Sequence, residues 1–106
     1  MLKPRPSEST VRSIVGAVAR VLDVDPALAY SRDLSHAACE LRHLSAWAIT
    51  QETGASHRFI ARQLGRHHST IRHSLTVVAG YIEVMPAFAD MTRRIEQEVR
   101  STDENA

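Results

Sequence analysis

One interval governs the apolar residues of this chain. Val11, Ile14, Val15, Val18, Val21 and Leu22 recur three and four positions apart, which places them on a single face of a helix. Leu41, Leu44 and Ala48, with Trp47 beside them, repeat the interval, as do Ile71, Leu75, Val78 and Ile82, and then Phe88, Met91, Ile95 and Val99. No sustained alternation of apolar and polar residues bounded by turns marks a strand. The fold class that follows is all-α.

Caps and breakers divide this pattern into about six helices with a central helix-turn-helix. Ser7 or Ser9 caps the first helix, and Asp25-Pro26, an N-cap followed by a proline at the first helical position, opens a short one through Tyr30. Ser35 caps a long helix from His36 to Glu52, which Thr53-Gly54 ends. Ser56 caps the next, through Leu64; Gly65 turns the chain, and Ser69-Thr70 opens a helix that runs to Pro86. A last helix covers Ala87 to Arg100.

A chain of 106 residues, 43% hydrophobic and 24% charged, has the size and composition of one globular domain with its own core. Residues 8–100 are expected to form it, between a flexible arm at residues 1–7 and an acidic disordered tail at residues 101–106. Cys39 is the only cysteine, so neither an intrachain disulfide nor a cysteine-rich zinc site is available. No apolar run is long enough to cross a bilayer, and Met1-Leu2-Lys3-Pro4-Arg5-Pro6 lacks the apolar stretch of a secretory signal. The expected location is the cytoplasm, at the nucleoid.

The net charge of +1 conceals an uneven distribution. Between Glu52 and Glu83 there is no acidic residue, while Arg58, Arg62, Arg66, Arg72, His57, His67, His68 and His73 all fall there. The acids gather at the end of the chain, in Glu96, Glu98, Asp103 and Glu104. A basic middle third is suited to phosphate.

The same stretch has the spacing of a helix-turn-helix. Ala61 is small enough for a second helix to approach the first, Gly65 permits a backbone angle that a β-carbon opposes, and Ile71 locks the pair one turn later. Ile60 and Leu64 add apolar support. The second helix presents unpaired backbone N–H groups at its start, where Arg66, His67, His68, Ser69, Thr70 and Arg72 gather. Arginine reads guanine edges and hydroxyls serve bases or phosphates.

The segment Leu64-Gly65-Arg66-His67-His68-Ser69-Thr70-Ile71-Arg72-His73-Ser74 resembles the signature of the DNA-binding domain (domain IV) of DnaA, the bacterial replication initiator, which reads Gly-Gly-Arg-Asp-His-(Ser/Thr)-Thr-Val-Leu-His-Ala. The resemblance extends from Val11 to Val99. It implies a six-helix, Trp repressor-like domain that binds duplex DNA as a monomer per site, with signature residues at major-groove base edges and an upstream basic loop in the minor groove. Arg66, His68, Ser69, Thr70 and His73 match the signature. His67 stands where the family has Asp, exchanging an acceptor for a donor; one glycine is missing, and Arg72 replaces an apolar residue. In the upstream loop Arg32 and Arg42 hold positions suited to phosphate, whereas Glu40 falls where the family's minor-groove arginine is expected, and a carboxylate is repelled there. No Gly-x-x-x-x-Gly-Lys-(Ser/Thr) loop accompanies the domain, so the resemblance implies a stand-alone regulator of replication initiation or transcription without an ATPase.

The expected base contacts are Arg66, His67, His68 and Ser69. The expected backbone contacts are Thr70, Arg72, His73, Arg58, Arg62, Arg42 and Arg32. The partner is double-stranded DNA, bound by a monomer or weak dimer, with no cofactor, nucleotide, metal or membrane. His36, Glu40 and His43 sit at helical offsets that zinc accepts, but a solvated helix face explains them as well. Ser69 and His73 lie one turn apart without a third orienting group, so no enzyme is expected. Cys39 among small residues reads as packing. The alternative function is a helical protein–protein interaction module that has lost DNA binding, with an unknown protein partner.

Overall fold

The computed structural model describes residues 6–104, and every regular element among them is helical. Five α-helices, α1 (Glu8–Leu22), α2 (His36–Thr53), α3 (His57–Leu64), α4 (His68–Val84) and α5 (Pro86–Glu104), are joined by short turns, with a 3-10 helix (Pro26–Tyr30) between α1 and α2. The all-α expectation holds, and six helical elements stand where about six were expected. Most of the expected arm, residues 1–5, lies outside the described residues, as do residues 105–106.

Local chemistry sets most of the boundaries. Ser7, Ser35 and Ser56 each accept from the backbone N–H three residues ahead (Thr10, Ala38 and Phe59), so each satisfies a donor that the first turn of a helix leaves orphaned. Asp25 caps the 3-10 helix by accepting from Ala27 N at 2.9 Å. Gly54 (φ 68°) closes α2, its N–H returning to the Thr50 carbonyl. At the end of α1 the left-handed residue is Asp23 (φ 57°), with Asp23 N on the Arg20 carbonyl and Val24 N on the Ala19 carbonyl. These two bonds form a Schellman closure built without glycine.

Helix α2 occupies the middle of the molecule and packs against α1, α4 and the 3-10 helix. Ala38, Leu41, Arg42, Leu44, Ser45, Ala46, Trp47, Ala48 and Ile49 are all buried, so most of its circumference is covered and a narrow polar face, His36, Glu40 and His43, remains open. Val11, Ile14, Val15 and Val18 of α1 meet it from one side, and Ile71 and Val78 of α4 from another. Helix α5 closes the far side through Ile95 and Val99. The expected disordered tail differs from the structure at residues 101–104, which continue α5. Arg20 accounts for the difference: its Nε donates to Glu98 Oε1 and an Nη to Thr102 Oγ1, both at 2.8 Å, tying the end of α5 to α1.

Candidate nucleic-acid interface

The turn between α3 and α4 is built as its spacing requires. Gly65 adopts φ 65°; its N–H returns to the Arg62 carbonyl, and Arg66 N–H reaches the Ala61 carbonyl at 2.8 Å. This is a second Schellman closure, and it turns the chain within a few residues. Ile60, Ala61, Leu64 and Ile71 are buried together beneath it. Ala61 is the small residue that lets α4 approach.

Helix α4 begins at His68, one residue before the Ser69-Thr70 start expected from the sequence, because His67 is its N-cap. The His67 Nδ1 accepts from Ser69 N at 3.2 Å and lies 2.8 Å from Ser69 Oγ. A backbone N–H only donates, so Nδ1 carries no proton in this cap and the ring's donor is Nε2–H. His67 and His68 lie ring over ring, 4.3 Å between centroids. The His68 imidazole is held below the ordinary range by desolvation, then by His67, Arg58, Arg72 and His57 around it.

Two adjoining depressions flank this helix start. Arg58, Arg62, Arg66, His67 and His68 line the first, and His57, Arg58, His68 and Arg72 line the second. No carboxylate lines either one. Arg58, Arg62, Arg72, Ser69 and Thr70 are exposed; His68 and Arg66 are half-buried. His73, expected beside Arg72 on the DNA backbone, instead lines a separate cleft between α2, α4 and α5, with its ring edge-on to His43 at 6.1 Å.

Arg42 differs most from its expected place. It is 8% exposed, and its guanidinium donates to the Ser31 carbonyl at 2.8 Å and to the Asp33 carbonyl. Arg66 donates to the same Ser31 carbonyl. Two arginines thus hold the loop at residues 31–35, and their Nε atoms are buried without a partner. Burial and then the nearby Arg66 charge lower the Arg42 pKa. The physical reason for the difference is the central position of α2: a side chain at 42 meets protein, not solvent. The loop presents Arg32 to solvent, together with Leu34, 79% exposed. Its shape is fixed locally as well, with Asp33 Oδ1 accepting from Ser35 N at 2.7 Å.

Glu40 lines the same separate cleft as His73 and lies 3.8 Å from His36 Nε2. It is absent from the linings of both cationic depressions. Among the described residues no group of three histidine, cysteine or acidic side chains has the arrangement to hold a metal ion. The His43–Ser74 hydrogen bond, 2.7 Å between Nδ1 and Oγ, joins α2 to α4; the sequence, in which His43 shares a polar face with His36 and Glu40, carries no signal for it. Compared with family models and with curated protein sequences, the chain matches none of them. Among the described residues, no helix is long and apolar enough to cross a membrane.

Proposed function

We propose that this chain is a sequence-selective, non-enzymatic binder of double-stranded DNA that uses a DnaA-like helix-turn-helix, acting at the nucleoid as a stand-alone regulator of replication initiation or transcription. The observation that carries the reading is the pair of carboxylate-free depressions, lined by Arg58, Arg62, Arg66, Arg72 and three histidines, around the start of α4. A helix start aimed at a phosphate-rich groove and ringed by guanidinium groups has both the geometry and the charge for major-groove docking. His68, Ser69 and the His67 Nε2–H are the groups assigned to base edges; Arg58, Arg62, Arg72 and Thr70 are assigned to phosphates. Arg32 extends the phosphate contacts from the clamped loop. Arg66 serves both the groove and the clamp, and Arg42 acts as a positioning residue. One module of this size buries about 600–1,000 Å² of protein, so affinity is modest and a monomer suffices per site.

The test is fluorescence anisotropy of a DnaA-box duplex and a scrambled duplex of equal length, each titrated across salt. Tighter binding to the box supports initiator-type specificity. Equal, salt-sensitive binding supports a DNA binder with a different operator. Absence of binding to both at low salt overturns the proposal and leaves a protein-interaction module.

A further inference from the structure

Away from the helix start, α2, α4 and the beginning of α5 enclose a second cleft of ≈ 310 Å³. Its floor is apolar: Leu44 and Val78 are fully buried, and Val77 borders them. Tyr81 and Phe88 form one wall, packed edge to face with centroids 5.2 Å apart, and Tyr81 is still 47% exposed. On α4 the cleft takes positions 73, 77 and 81, a stripe four residues apart, whereas Arg72 lines one of the cationic depressions.

The charge of the cleft is as informative as its shape. Glu40 is the only carboxylate in the lining, and neither arginine nor lysine joins it. Its contact with His36 is 3.8 Å long, and the His36 side chain is 92% exposed, a pairing that water weakens and a ligand displaces at little cost. One nitrogen of His43 is engaged by Ser74 Oγ. Burial, then His73 and Arg42, lower the pKa of that ring, so His43 brings no positive charge near neutral pH. A concave apolar surface with few polar groups is the usual form of a small-molecule site. A tyrosine ring and a lone carboxylate lining the same cleft favour a cation.

We propose that this cleft binds a small aromatic amine, its ammonium group on Glu40 and its ring seated between the Tyr81–Phe88 wall and the floor of Leu44, Val77 and Val78. The site is independent of the DNA-binding reading, since it uses none of the residues assigned to bases or phosphates. Only chemical complementarity identifies the ligand: a flat body of one ring, a positive end, and no acidic group.

Three probes of equal shape separate the terms: phenethylamine, 2-phenylethanol and phenylacetate, titrated into the full chain and followed by proton–nitrogen correlation spectra. The amine is expected to give saturable shifts with a Kd near or below about 1 mM, confined to amides around residues 36–44 and 73–88. The alcohol is expected to bind up to about fivefold more weakly, since a partly exposed ion pair contributes no more than this, and the carboxylate more weakly still. Glu40→Gln should bring amine and alcohol to the same affinity while leaving amides distant from the cleft unmoved. Tyr81→Ala should weaken both alike. Absence of saturable shifts up to about 10 mM for all three, tightest binding by phenylacetate, or an amine preference that survives Glu40→Gln would each overturn the proposal.

Discussion

Arg42 and Arg72 carry the same charge on neighbouring helices, and their surroundings give them different work. Arg72 is exposed beside the start of α4, so on the proposed reading Arg72→Ala removes one phosphate partner. The expected result is weaker binding to every duplex, a salt slope smaller by about one and nearly unchanged stability. Arg42 is buried on loop carbonyls; Arg42→Met leaves the Asp33 carbonyl without its guanidinium and the Ser31 carbonyl to Arg66 alone, and is expected to cost about 1–3 kcal/mol of stability in urea denaturation, with the salt slope preserved. An unchanged unfolding midpoint in Arg42→Met would show that the clamp contributes nothing. His67 gives a third case at this scale. Its ring caps α4, and His67→Ala is expected to lose about 1 kcal/mol by the same denaturation assay, as at other N-caps, while His67→Asn retains most of it. Charge and spacing marked all three positions as candidates for DNA. They did not distinguish the exposed arginine from the buried one, because helical spacing says nothing of what loop packs over a given residue. Nor did they mark His67 as a cap, because histidine lies outside the usual set of Ser, Thr, Asp and Asn.

Among the elements, the two Schellman turns form a matched pair with opposite residue choices. Gly65 holds φ 65°, and a β-carbon added there meets nothing within 4 Å. Gly65→Ala therefore carries conformational strain without a clash, and about 1 kcal/mol of lost stability is expected. Asp23 holds φ 57° with a β-carbon and a negative charge at the end of α1, both unfavourable at a helix carboxyl end. Asp23→Gly is expected to raise stability by about 0.5–1 kcal/mol. Thermal unfolding checks both, and equal signs for the two variants would show that left-handed strain is not the controlling term. The helix-turn-helix itself was legible because every component is local: Ser56, Ala61, Gly65 and Ile71 act within sixteen positions of one another. The surroundings of α2 were less so. Leu41, Leu44 and Ala48 announced one face, but Ser45, Ala46 and Arg42 are buried too, and covering them depends on partners distant in sequence. The separation of His73 from Arg72 is likewise a matter of tertiary rotation. Adjacent residues on a helix diverge by about 100°, and only the packing of α4 on α2 decides which of them lines the cationic depression and which the separate cleft.

Across the whole molecule, acid acts on the fold and on the proposed DNA complex with opposite signs. In the unfolded chain His43 and His68 take up protons near the ordinary imidazole value of about 6.5. In the folded chain both are lowered, His43 by burial and then by His73 and Arg42, His68 by desolvation and then by its positive neighbours. Between the unfolded and folded values the unfolded state binds more protons, so stability present above pH 6.5 declines as pH falls below it and levels off once the folded rings protonate too. Asp33, whose carboxylate is held low mainly by the Ser35 backbone N–H, adds a second decline only below the ordinary aspartate value of about 3.9. Urea midpoints between pH 7.5 and 5.5 should therefore drop in the wild type and drop less in His43→Gln; a midpoint that rises on acidification would contradict the burial of His43. DNA reverses the sign at His68. In the proposed complex the negative potential of the groove offsets the arginines that oppose the charge of that ring, so the complex binds more protons than the free domain and affinity should tighten as pH is lowered from 7.5 to 6.0. His68→Asn should flatten that dependence without altering the response to His43→Gln, because the two histidines lie on different faces of the fold. If His68→Asn leaves the pH dependence of binding intact, His68 is not at the phosphate-rich surface, and the docking of α4 by its first turn is wrong even where DNA binding itself is observed.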